Sequence, residues 1–192
     1  MNFDTVISIA LGIGLAASSG FRVFLPLFAL SMAAYSGMWP LNENWQWLGS
    51  GHALMILGIA AITEALGYLI PFVDNLLDTI AVPLAAVAGT AVMASTAADL
   101  SPAVTWTLAV IAGGGAAATV KSTNAVTRVV GTTTTGGLAN PIFSILETGV
   151  AVVMSVLSIF VPVLAALLLM LLALWFYRRY ARLRRKRLQD GV

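Results

Sequence analysis

Residues 3–35 read FDTVISIALGIGLAASSGFRVFLPLFALSMAAY, and the way this stretch enters a membrane decides the fold. A straight helix of these 33 residues would be about 50 Å long at about 1.5 Å per residue. The hydrocarbon core of a bilayer is only roughly 30 Å thick. The middle of the stretch, Ala17-Ser18-Ser19-Gly20-Phe21-Arg22, sets small, turn-tolerant residues beside an arginine. A broken helix or a re-entrant hairpin is therefore expected, in preference to two short spans.

Composition makes the surrounding solvent lipid. Of the 192 residues, 59% are hydrophobic and 9% charged, whereas a soluble domain carries about 25% charged residues. Met1-Asn2-Phe3-Asp4 has no basic residue, so the N-terminus reads as the start of the first span and not as a cleaved secretory signal. Cysteine is absent and His52 is the single histidine. These counts exclude a disulfide framework, thiolate chemistry and a zinc site built on several histidines. The formal charge of +2 is an average over two unlike parts. Arg178, Arg179, Arg182, Arg184, Arg185, Lys186 and Arg187 crowd one tail, and the remainder is slightly acidic. The basic pI thus describes the tail and gives no reason to expect nucleic acid.

Outward from the first stretch, five more apolar segments follow at 52–70, 80–98, 103–120, 142–160 and 162–177. The Trp-rich stretch 37–51 precedes segment two, which contains Glu64 and ends at Pro71. A short link, 72–79, carries Asp74 and Asp78. Pro83 then falls in the first turn of segment three, where proline is tolerated. The core of segment four is Gly113-Gly114-Gly115-Ala116-Ala117-Ala118, whose glycine run suits close helix packing. A polar stretch, 121–141, holds Lys121, Arg128 and the run Thr132-Thr133-Thr134-Thr135-Gly136-Gly137. Asn140 and Pro141 read as the N-cap and first residue of segment five, which carries Glu147. The expected fold is all-α, a polytopic transmembrane bundle of about six spans, or seven if the first stretch is two. Residues 1–177 form one membrane domain and 178–192 a basic tail.

The positive-inside rule places that tail in the cytoplasm. Counting back through six spans puts Lys121 and Arg128 on the same side, the tryptophan loop outside and both termini inside; a seventh span would move the N-terminus outside. The two halves, 3–98 and 103–177, share an order of features. Small residues precede Arg22 in one and Lys121 in the other, and Glu64 and Glu147 follow. Pro83 and Pro162 then lead an apolar span in each. Three spans per half would make this an inverted 3+3 repeat with a broken first helix, an arrangement that sets transporter sites between the repeats.

Charged groups inside a membrane are paired or functional. Arg22 reads either as an anion site, with Ser18, Ser19 and Gly20 opening a second half-helix whose free N–H groups attract negative charge, or as a cation paired with Glu64 or Glu147. Glu64 and Glu147 in turn read as proton or cation carriers, or as counter-ions of Arg22, Lys121 and Arg128. Asp74 and Asp78, four apart, share a helix face and suit a divalent ion, or else a solvated interfacial pair.

The pattern Ser19-Gly20-Phe21-Arg22-Val23-Phe24-Leu25-Pro26-Leu27 resembles that of a family of small bacterial membrane proteins known only as a domain of unknown function. Glu64, Pro71-Phe72-Val73-Asp74 with Asp78, Lys121, Arg128, Gly136-Gly137, Asn140-Pro141 and Glu147 extend the resemblance over most of the chain. It implies a multi-spanning protein of the bacterial inner membrane and transfers no activity. Three functions remain in competition. The first is a small transporter or channel for an ion or small anionic solute, lined by Ser18, Ser19, Gly20, Arg22, Glu64, Lys121, Arg128 and Glu147. The second is a structural or assembly protein. The third and least favoured is an enzyme acting on a lipid or pyrophosphate through a metal at Asp74 and Asp78. Nothing calls for a cofactor, and the expected partners are membrane lipid, the solute and further copies of the chain.

Overall fold

A computed structural model of the protein describes residues 3–97, 100–135 and 140–190. They are helical almost throughout, with no strand among them. Helices α1 (Phe3–Ser19) and α2 (Phe24–Tyr35) form the two arms of the first stretch. Gly37, with φ of 73°, lets the chain leave α2. A 3-10 helix, Glu43–Gly49, leads into α3 (Gly51–Gly67), capped by the Ser50 side chain on Ala53 N–H. Pro71 opens α4 (Pro71–Thr96). Helix α5 (Pro102–Leu108) passes through a π-helical turn, Ala109–Gly114, into α6 (Gly115–Thr135). Helices α7 (Asn140–Phe160) and α8 (Pro162–Asp190) follow.

Large side chains face outward and small ones inward. Ile56, Ile59 and Ile62 of α3 are exposed, as are Ile145 and Val153 of α7 and Leu167 and Leu171 of α8. Ala85, Ala88, Ala117, Ala151, Ser155 and Ser158 are buried. This is the pattern of helices that meet through small residues and turn their bulk to lipid. Phe72–Thr96, Pro102–Val129 and Asn140–Phe160 are each long and apolar enough to cross a membrane. The 3-10 helix and α3 pass that test together across a 67° bend, while α1, α2 and Pro162–Trp175 are shorter apolar helices.

Contacts show how the first stretch turns. On α1, Gly12 lies against Met93 and Thr96 of α4, and Ile9 and Ile13 pack beside Met93, Ala94 and Trp45. Beyond α2, Asn42 N–H donates to Ser95 O at 2.9 Å and the Asn42 side-chain amide to Ala97 O at 3.1 Å. Both open ends of the stretch thus reach the Thr96 end of α4, here termed the tryptophan end. The turn between them packs Val23 on Ala85, Ala88 and Ala117, in the middle of α4 and near the start of α6. The first stretch is therefore a re-entrant hairpin whose tip stops inside the bundle. Gly14 lies against Ser158 and Ala165, which sets the junction of α7 and α8 beside α1; the end of the bundle opposite the tryptophan end, where α4 begins, is here termed the tail end. Phe3 lies at the tryptophan end, because the hairpin returns.

Three expectations change. Residues 72–79 are not a link but the first turns of α4, so Asp74 and Asp78 sit on a helix. Pro83 accordingly lies inside α4 and not in a first turn. The polar stretch after Val120 continues as helix to Thr135. Its thronging hydroxyls permit this, since Thr119, Thr123 and Thr127 donate to the carbonyls of Gly115, Thr119 and Thr123, each within its own helix. Asp99, of the turn expected before segment four, and Gly136 and Gly137 lie outside the described residues.

Candidate functional site

Below the hairpin tip, toward the tail end of the bundle, every lysine and arginine outside the tail converges on one ring. Tyr68, one residue past α3, is buried. Arg22 Cζ lies 4.1 Å from its ring centroid, Lys121 Nζ 4.8 Å and Arg128 Cζ 4.9 Å. An aromatic face attracts each cation singly, but three together repel one another. Carboxylates from three helices offset that repulsion: Glu64 of α3, Asp74 and Asp78 of α4, and Glu147 of α7.

Arg128 takes most of this compensation. Its Nε and Nη2 donate to the two oxygens of Glu147 at 3.1 and 2.7 Å, a bidentate fork. Its Nη1 pairs with Asp74, and with Asp78 Oδ2 at 3.4 Å. Asn140 Nδ2 donates to Asp74 Oδ2 at 3.4 Å. Lys121 donates to Tyr68 Oη at 3.2 Å and stands 3.5 Å from Asp78 Oδ1. Arg128 thereby ties α4, α6 and α7 together at the tail end.

Arg22 is held differently. Only 1% of it is exposed, and among the described residues no carboxylate lies at ion-pair distance from it. Its Nε donates to Thr148 Oγ1 at 2.8 Å, and its Nη2 to Ser144 O at 2.8 Å and Ser144 Oγ at 2.6 Å. Both partners are neutral and both belong to α7. Nε and Nη2 share one edge of the planar guanidinium, so the remaining corner, Nη1, points away from α7. Nη1 is buried and has no hydrogen-bond partner among the described residues.

Glu64 is the complementary case. It is 8% exposed and accepts from Val23 N–H at 2.8 Å through Oε1 and from Phe24 N–H at 3.0 Å through Oε2. These N–H groups open α2, where the helix has unsatisfied donors and a positive dipole end. The half-helix expected to attract an anion therefore holds a carboxylate of its own chain.

The remaining candidates face elsewhere. Ser18 Oγ lies 2.9 Å from both Ala151 O and Ser155 Oγ, binding α1 to α7. Ser19 Oγ donates to Leu15 O at 3.1 Å within α1. Gly20 O accepts from Asn124 Nδ2 at 3.4 Å. Asp74 and Asp78 point at Arg128 and Lys121, and no group of three His, Cys, Asp or Glu among the described residues is arranged to hold a metal ion. Tyr68, Ser144 and Thr148 were missed at the sequence level. Tyr68 stands four residues after Glu64, Ser144 three residues before Glu147, and Thr148 four after Ser144, so a search along helix faces that starts from the two glutamates reaches all three.

No curated protein and no solved structure matches the chain. A family model, described as a domain of unknown function (DUF4126), matches residues 9–182. That span takes in most of the hairpin, the Tyr68 cluster, helices α2 to α7 and the greater part of α8, and the chain belongs to this family.

Proposed function

We propose that the protein is a small transporter or channel for a small anionic solute in the bacterial inner membrane. The reading rests on Arg22, a fully buried cation that among the described residues has no carboxylate partner and no acceptor for one corner. A buried charge left in this condition costs several kcal/mol (on the order of the effective penalty for a single ion), and an anion arriving at that corner would remove the cost. Helical hairpins that end inside a membrane line sites of this kind, because irregular backbone at that depth survives only inside protein or beside a cavity. In this reading α3, α4, α5–α6, α7 and α8 cross the bilayer, the hairpin enters from the outside, and the basic tail is cytoplasmic.

The test is solute flux into liposomes and thermal stability in mild detergent, measured against a panel of anions, monovalent cations and divalent cations. A ligand of the folded state at a hundred times its dissociation constant adds about 2.7 kcal/mol of stability. An anion that raises the melting point in wild type and has no effect in folded Arg22→Gln supports the proposal. A cooperatively melting protein that responds to no ion favours the structural alternative, which the saturated Arg128 network already suits. A response confined to divalent cations, lost in Asp74→Asn, favours the metal enzyme.

A further inference from the structure

Glu64 and the N-terminus of α2 carry the reading one step further. The two oxygens of one carboxylate take two successive backbone N–H groups, so this helix end is shaped for a planar two-oxygen anion. Arg22, the residue immediately before the first of these donors, has its Nη1 buried and without a hydrogen-bond partner among the described residues. We propose that the N-terminus of α2, together with Arg22, is a carboxylate-binding site of which Glu64 is the resident occupant, and that a small monocarboxylate enters it in exchange as Glu64 takes up a proton. This rests on the anionic-solute reading above and names its substrate class.

Three observations favour Glu64 as the group that exchanges. The titratable and charged groups around it are Arg22 at the hairpin tip, Tyr68 following its own helix, Asp74 and Asp78 on α4, Lys121 and Arg128 on α6, and Glu147 on α7. Asp74, Asp78 and Glu147 each have a cation at ion-pair distance. Among the described residues Glu64 has none, so its protonation breaks no ion pair. Among the described residues its carboxylate is met at hydrogen-bond distance by the helix end alone, and a proton from solvent bound at Oε1 or Oε2 leaves those donors to the incoming anion. Finally, Ala65, Leu66 and Leu69 beside it line an open apolar groove on the outer face of the bundle, shared with the exposed Ile145, Val152 and Val153 and with Thr148 of α7. Thr148 is also the partner of Arg22 Nε. The groove accommodates the apolar body of an organic acid, for which a halide or sulfate has no use.

The experiment uses the full chain in mild detergent, between about pH 5 and pH 8, with pyruvate as probe and chloride and sulfate as comparators. The melting point and the proton uptake on mixing in weak buffer are both read. Pyruvate should stabilise wild type at concentrations at least tenfold below those of chloride or sulfate. Its apparent affinity should rise by up to tenfold per unit fall in pH while Glu64 is ionised, with about one proton taken up per anion, since linkage of one proton gives that slope. In Glu64→Gln, pyruvate should bind without proton uptake, and in Arg22→Gln it should not bind. Pyruvate binding to wild type without proton uptake, or uptake that persists in Glu64→Gln, overturns the exchange and leaves the anionic-solute reading standing. Equal response to chloride overturns the substrate class. No response to any anion at any pH overturns both. Where Glu64→Gln does not fold, proton uptake by the wild type decides alone.

Discussion

Arg128 and Arg22 lie on the same aromatic ring and are held by opposite means. Arg128 gives all three of its nitrogens to carboxylates, so removing it leaves Asp74 and Glu147 buried and unpaired. Arg128→Leu should cost about 3–5 kcal/mol of stability, as breaking a buried pair from one side does. Arg128→Lys should recover only part of it, because an ammonium cannot make the two-pronged contact with Glu147. Denaturant unfolding in mild detergent checks both. Arg22→Gln should be milder, since Ser144 and Thr148 are neutral and no carboxylate is stranded, and its main effect should fall on ligand binding. The charged members of this site were legible in the sequence. Outside the tail the chain has three basic residues, and a lipid solvent forces such groups together. Their division of labour was not legible, because it depends on which carboxylate each guanidinium edge meets across helices 126 or 19 residues apart in sequence. Tyr68 stayed hidden for a related reason: nothing marks one aromatic among many as central until three cations are set on its face.

At the scale of elements, the break at Gly20–Arg22 could be read from small residues beside a charge, but the direction of the chain after it could not. That direction is fixed by packing on α3, where Gly58 faces Phe28 and Glu64 reaches Val23. The helix over 121–135 is masked in the sequence by the polarity of its threonines and Asn124. Lys121, Asn124 and Arg128 recur at three and four residues, which sets them on one face of a helix, and that spacing was the available signal. Close approach of α4 to the π-helical turn gives a sharper test. A Cβ on Gly89 would lie 2.6 Å from Gly113 O, and one on Gly113 2.5 Å from Gly89 O, so each glycine admits the other's backbone. Gly89→Ala and Gly113→Ala should each cost about 1–3 kcal/mol through overpacking. Gly115 and Gly149 have nothing within 4 Å of such a Cβ. Gly115→Ala and Gly149→Ala should be neutral or stabilising, by about 0.5–1 kcal/mol at most, since alanine is the better helix former. Melting points of the four variants, compared side by side, separate contact from composition.

For the whole molecule, the decisive feature is that the hairpin fills only the tryptophan half of the bundle. The tail half must then be filled by something else, and side chains too polar for lipid do so, from Arg22 at the tip to Asp78, whose side chain is 25% exposed. A straight crossing by residues 3–35 would have occupied that space and left the cluster no room. The membrane class followed from composition, since it depends only on the balance of apolar and charged residues. The side on which Phe3 lies did not, because both a broken span and a hairpin satisfy the same apolar pattern. Topology therefore tests the fold most directly. The chain has no cysteine, so a single introduced one reports alone. Phe3→Cys and Asn44→Cys should react with an impermeant maleimide from the same face of sealed vesicles, and Gln189→Cys only from the other. Labelling of Phe3→Cys together with Gln189→Cys would mean that the first stretch crosses the membrane; the Arg22 tip would then be an interior kink in a span, and the exchange of Glu64 at a half-helix end would lose the entrance that the hairpin provides.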